Sequence, residues 1–202
     1  EITTRLVGSE MCIRDRIAYQ RFGAFAGEGR GSNNVIVVEH ALTGDSTVPD
    51  WWAELIGPGR ALDTDRWCII ATNALGGCRG STGPSSPHPS SGVWGSLFPA
   101  LSIRDLVEAE RAALRALGIE HVHAIIGGSM GGARTLEWSL MHPDFLDAAC
   151  AIAVSARASG WQIGIQSAQI SAIERDPFWQ GGDYYATDAA PLEGLAAARR
   201  IA

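Results

Sequence analysis

The 202-residue chain is poor in the features that would tie it to nucleic acid, a membrane or a metal. Lys and Arg number 16 against 22 Asp and Glu, a net charge of −6, so the basic stripe of a nucleic-acid binder is missing. No apolar run approaches the ~20 residues of a membrane span. No charged segment followed by an apolar one opens the chain in the manner of a secretory signal. The four cysteines, Cys12, Cys68, Cys78 and Cys150, show no C-x-x-C spacing. That removes the usual zinc and disulfide patterns and makes a reduced, cytoplasmic setting the expectation, with no metal or prosthetic group. Hydrophobic residues, in contrast, make up 46% of the chain, enough for a substantial core.

Residues 1–15, "EITTRLVGSEMCIRD", carry no clear helical or strand period and are read as a non-native or disordered leader. From there the patterns become regular. Residues 16–23 alternate apolar and polar as a strand does, and 35–40 ("VIVVEH") and 67–73 ("WCIIATN") are short β-branched runs suited to strands buried on both faces. Residues 103–117 predict a helix with Ser102 as N-cap and Gly118 as stop; Glu110 alone interrupts its apolar stripe. "HVHAIIGG" predicts a third buried strand, 131–141 a helix ending before Pro143, and 148–155 a fourth strand. Alternating strands and helices mean an α/β fold with a mostly parallel sheet. The expected division is a core over 16–156 and, over 157–202, the start of a helical insertion lying above one end of the sheet.

"IIGGSMGG" holds the chemistry. Gly127 to Gly131 fit G-x-S-x-G, with a buried strand running in and a helix running out. In such a nucleophile elbow the turn lifts the serine hydroxyl above the sheet edge, and the N–H of the following residue points at the reacting carbonyl oxygen. Ser129 is therefore the candidate nucleophile and Met130 a candidate oxyanion donor; the plain alternative is a tight glycine turn with an inert serine. "EHALTGD" follows directly on the strand at 35–40, where the second oxyanion N–H is expected, from Leu42 first and Thr43 next. An ordinary strand-end turn is the alternative there. Cys78 is a competing nucleophile that nothing in its surroundings marks as activated.

What the sequence lacks most tellingly is a late histidine. A serine needs a base, and in this plan the acid and the histidine follow the serine along the chain. Four of the five histidines, His40, His88, His121 and His123, precede Ser129, and His142 closes a helix that carries it about 16 Å from the elbow. Asp144, Asp147, Asp176, Asp183 and Asp188 follow Ser129, but none ends a plausible late strand. The triad acid and base are accordingly expected outside this chain, and the sheet is expected to want its last strands.

The blocks "HALTGD", "LIGPGRALDTDRW", "NALGGCRGSTGPSS", "FPALSIRDLVEAERAALRALGI", "GGSMGGARTLEW" and "GGDYY" together resemble the homoserine O-acetyltransferases, acyltransferases of methionine biosynthesis on the α/β-hydrolase fold. The resemblance spans roughly residues 16–202 and implies a C-terminally truncated member. It implies acetyl transfer from acetyl-CoA to the hydroxyl of L-homoserine through an acylated Ser129, with both molecules as substrates, and a homodimer at full length. It also implies that Arg199 binds the homoserine carboxylate, a task that suits a guanidinium fork; on chemistry alone, Arg199 and Arg200 would be a solvated helix end. A succinyl donor, a serine acceptor, an esterase of the same fold and an inactive fragment remain the rival readings.

Overall fold

The structure, a computed structural model, describes residues 2–5, 14–26, 34–90, 92–187 and 189–202. Two compact units emerge: Glu1–Thr82 with Ala100–Val154, and Gly83–Pro99 with Ser155–Ala202. The sequence had left 83–99 with the core. It joins the second unit because Ser96 donates through its N–H and its hydroxyl to the Asp183 carboxylate, both at 2.7 Å.

The first unit is built on seven strands: β1 (Ile2–Arg5), β2 (Arg14–Ile17), β3 (Tyr19–Phe22), β4 (Val35–Glu39), β5 (Cys68–Thr72), β6 (Val122–Gly128) and β7 (Leu146–Ile152). Its helices are the short α1 (Val48–Trp51), α2 (Ile103–Ala116) and α3 (Met130–Met141). The main sheet runs in the order β3-β5-β4-β6-β7, with β3 antiparallel and the rest parallel. Every residue of β4 and β5 is buried, as two β-branched runs between turns require. One face of the sheet is packed by Val107, Leu114 and Trp138 from α2 and α3. On the other, Ile36, Val38 and Ile69 pack with Val48, Ile56 and Leu62 from the 48–62 segment. Each such side chain fully removed from water contributes ~1.5–3 kcal/mol before entropy is counted.

Local rules explain the helix ends. The Ser102 hydroxyl accepts from the N–H of Asp105, and the Asp105 carboxylate accepts from the N–H of Ser102, a reciprocal cap. Gly118, at φ +78°, ends α2 in a conformation that an L side chain resists.

Two expectations change. Residues Ile2–Arg5 of the presumed leader pair antiparallel with Arg14–Ile17, because backbone pairing needs no side-chain period; 6–13, including Cys12, lie outside the described residues. The fourth strand, expected over 148–155, lies at Leu146–Ile152; it is exposed beyond Leu146, and among the described residues its sheet partner is β6. The second unit holds α4 (Gly160–Glu174), capped by Ser159 and Gln162, and α5 (Leu192–Ile201), which pack on each other.

Candidate active site

The strand order reverses at β4: the chain moves from β4 to β5 on one side, then to β6 on the other. Ligand crevices in parallel sheets open beyond the strand ends at such a switch point. Glu39 and Gly127 pair there across β4 and β6, so the 40–45 loop and the Ser129 turn leave the sheet side by side.

Ser129 stands at φ +57°, ψ −118°, a region that a non-glycine residue enters only when its surroundings impose it. Two hydrogen bonds help to impose it. Its N–H donates to Ile152 O on β7, and its carbonyl accepts the first bond of α3 from Ala133, both at 3.0 Å. The glycines leave no room for alternatives. A Cβ at Gly127 would lie 2.4 Å from the Gly131 backbone, and one at Gly131 would lie 2.2 Å from Glu39 O. Gly128, in contrast, faces open space. Met130 opens α3, where an N–H has no partner within the helix.

The facing loop turns through a Gly44 N–H to Ala41 O bond of 2.9 Å. Asn73 Oδ1 accepts from Ser46 N–H at 2.7 Å, and the Asp45 carboxylate accepts from the N–H and hydroxyl of Thr47, which hold that carboxyl below its ordinary range. Among the described residues, neither the Leu42 N–H nor the Met130 N–H has an acceptor, and Thr43 N–H is equally unengaged. A cavity of about 370 Å³ opens along the 39–52 segment and reaches Gly128, the residue before Ser129; Ala41, Thr43, Gly44, Trp51 and Trp52 are among its lining. The two tryptophans wall this space.

No base stands beside the hydroxyl: Ser129 Oγ has no hydrogen-bond partner among the described residues. His40 is buried and spent, its Nδ1–H donating to Ala41 O at 2.7 Å and its Nε2 accepting from Ala74 N–H at 3.0 Å. Burial also lowers its pKa, favouring the neutral ring. His121 and His123 share Asp147 at the opening end of β6, and His142 pairs with Glu108. Asp176 and Asp183 accept backbone N–H bonds in the second unit. Asp188 lies outside the described residues. Cys78 is exposed. Arg199 and Arg200 occupy the last turn of α5, both exposed and without an ion pair among the described residues.

The sequence reading missed the charged group under the elbow. Arg134 of α3 is buried against Glu39 of β4 and Glu110 of α2. Its signal was Glu110, a carboxylate in an apolar stripe. Among the described residues, no group of three or more His, Cys, Asp or Glu could hold a metal ion, and no helix is long and apolar enough to cross a membrane.

Strand, tight turn, helix and facing loop follow one another on a mostly parallel sheet, and residues 34–200 match the family model described as alpha/beta hydrolase fold. The chain belongs to the α/β-hydrolase fold family. Within it, the sequence is 66% identical over 186 residues to a homoserine O-acetyltransferase of Corynebacterium diphtheriae, covering 92% of this chain and 49% of that protein. The chain thus spans about half the length of the curated relatives it matches. Among solved structures, the homoserine O-acetyltransferase of Bacillus anthracis superposes with a TM-score of 0.80 at 28% identity, over 92% of this chain and 53% of that one. Esterase E22 superposes with a TM-score of 0.85, also at 28% identity, over 98% of this chain and 58% of that one.

Proposed function

We propose that this chain carries the nucleophile of a homoserine O-acetyltransferase. Ser129 Oγ attacks the thioester carbonyl of acetyl-CoA and gives its proton to a base. The tetrahedral oxyanion takes hydrogen bonds from the N–H groups of Leu42 and Met130, helped by the partial positive charge at the start of α3. CoA leaves with the proton; the hydroxyl of L-homoserine then attacks the acetyl-serine carbonyl and gives its proton to the same base, the Ser129 Oγ–acyl bond breaks, the base returns the proton to Ser129 Oγ, and O-acetyl-L-homoserine departs. Arg199 pairs with the homoserine carboxylate. Among the described residues no side chain bonds to Ser129 Oγ, and the reading places the acid and base of the triad outside them. The second unit is the start of a lid that keeps water from the acyl-enzyme, and the whole enzyme works as a cytoplasmic homodimer.

The observation that carries this reading is the Ser129 turn, held at positive φ beside a loop whose Leu42 and Thr43 N–H groups have no acceptor among the described residues, in a chain 66% identical to a protein of that name. The likeness to esterase E22 supports one alternative, water as acceptor. The test is CoA release from acetyl-CoA by a chain extended to its relatives' length. Release that depends on homoserine supports acetyl transfer; fast release in water alone supports an esterase; release from succinyl-CoA instead, or with serine in place of homoserine, moves the substrate assignment. Ser129→Ala should abolish release, and undiminished turnover would overturn the mechanism. The 202-residue chain by itself should turn over at background.

A further inference from the structure

Arg134 lies five residues past Ser129 on α3 and is 1% exposed. Its Nη2 stands 3.0 Å from Glu110 Oε1 on α2 and 3.2 Å from Thr72 Oγ1 on β5, and it contacts the Glu39 carboxylate on β4. Glu110 also accepts from the Thr72 hydroxyl and, at 2.9 Å, from Trp138 Nε1–H. One guanidinium therefore joins two helices to two strands beneath the elbow.

As a stabilising device this group is a poor choice. Taking ions out of water costs several kcal/mol each, and packed apolar residues often serve a core as well or better. Arg134 Nε and Nη1 are buried without an acceptor, which adds to that cost. Its geometry suits another task. Glu39 is the last residue of β4, its carbonyl abuts Gly131, and the 40–45 loop begins immediately after it. The Glu39–Arg134 contact is thus a short bridge between the loop bearing Leu42 and the helix bearing Met130.

We propose that Arg134 and Glu39 are positioning residues that hold the two oxyanion N–H groups at a fixed separation, with Glu39 as a neutral carboxylic acid and Glu110 as the anion. The assignment of the proton follows from surroundings. Burial pushes the Glu39 carboxyl well above its ordinary range despite Arg134. Against the cost of its own burial, Glu110 is held below that range by Arg134 and by bonds from Thr72 and Trp138, whereas neither Glu39 carboxyl oxygen accepts a hydrogen bond. A neutral Glu39 also matters to the site, because it lines the same cavity as Gly128. A full negative charge there would oppose the oxyanion. The consequence for catalysis rests on the Ser129 reading; the bridge itself does not.

The test needs no turnover, so undiminished release by Ser129→Ala in the extended chain would overturn the Ser129 reading and leave this one standing. Two measurements on the 202-residue chain decide it: the infrared carbonyl stretch of a buried protonated carboxyl at neutral pH, and amide hydrogen exchange at 40–45, 129–133 and, as a control, 192–201. The expected results are a carboxylic-acid band that Glu39→Gln removes, with exchange left as in the parent chain, since the amide is a neutral substitute. Glu110→Gln and Arg134→Leu should instead speed exchange about tenfold or more at both 40–45 and 129–133 together, leaving 192–201 unchanged. A band that survives Glu39→Gln, or faster exchange at 129–133 with 40–45 unaffected, overturns the proposal. Should Arg134→Leu fail to fold, Arg134→Lys is read the same way, since it keeps the charge but loses the fork.

Discussion

Gly131→Ala is the most demanding probe of the elbow. The added Cβ would meet Glu39 O at 2.2 Å, Glu39 C at 2.7 Å and His40 O at 2.9 Å. All three are backbone atoms, so no side chain can swing aside. Restoring ordinary contact needs a shift of about 1 Å between α3 and the end of β4, and cores resist such overpacking at ~1–3 kcal/mol or more. The helix cannot simply slide outward, because Gly127 lies against the Gly131 backbone and Arg134 is gripped by Glu39 and Glu110. The better helix propensity of alanine returns up to ~1 kcal/mol. A net loss of ~1–2 kcal/mol is therefore expected, a fall in Tm of ~2–8 °C for a chain of this size. Urea unfolding followed by near-UV circular dichroism measures it. Two controls bracket the result. Gly128→Ala meets nothing within 4 Å, and Gly164→Ala lies in open space inside α4, so neither should cost stability, and the second should add ~0.5–1 kcal/mol. A Gly131→Ala chain within 0.5 kcal/mol of its parent, by the scale of ordinary surface changes, would refute the steric account of the elbow.

Ser102→Ala and Ser159→Ala each remove a reciprocal helix cap and should lower stability by ~0.5–2 kcal/mol in the unit concerned, read by thermal melts. The Asp183 carboxyl is held below its ordinary range by the Ser96 N–H and hydroxyl. Its contribution is therefore present above the unfolded carboxyl pKa of ~3.9 and lost as pH falls through the lower folded value. Asp183→Asn should flatten the acid sensitivity of the second unit below about pH 4, followed by amide exchange at 92–98 and 180–187. An unchanged acid profile would mean the clamp does not form. Glu110→Leu leaves Arg134 facing Glu39 alone and takes the acceptor from Trp138 Nε1, so a loss of ~3–5 kcal/mol is expected in chemical denaturation.

Much of the fold was legible because it rests on short-range rules. The runs at 35–40 and 67–73 read as strands buried on both faces because nothing polar interrupts them, and β4 and β5 occupy 35–39 and 68–72. Ser102 and Gly118 mark the ends of α2 by backbone chemistry that needs no tertiary context. The misses are long-range. An apolar run such as 148–155 reports that a strand can be buried, not that a second neighbour is there to bury it, so the exposure of β7 was not visible. Likewise 83–99 has no period that would tie it to Asp183, 87 residues away from Ser96; a clamp between an N–H, a hydroxyl and a carboxylate leaves no pattern in a sequence.

The site divides along the same line. Ser129 was legible because an elbow is a local solution: glycines at 127 and 131, a strand before and a helix after. The 40–45 loop could be paired with it only by assuming a sheet order, and the register of Glu39 with Gly127 supplies that order. Arg134 was invisible as anything but a helical residue, yet Glu110 had already broken the stripe of α2. A carboxylate among Leu106, Val107, Ala113 and Leu114 is tolerable in a core only if something cationic and buried meets it. The helix that must supply such a group is the one packed beside it, and Arg134 is the arginine within α3. Reading an interrupted apolar stripe as a demand for a partner, rather than as noise, would have located the bridge under Ser129 from the sequence alone.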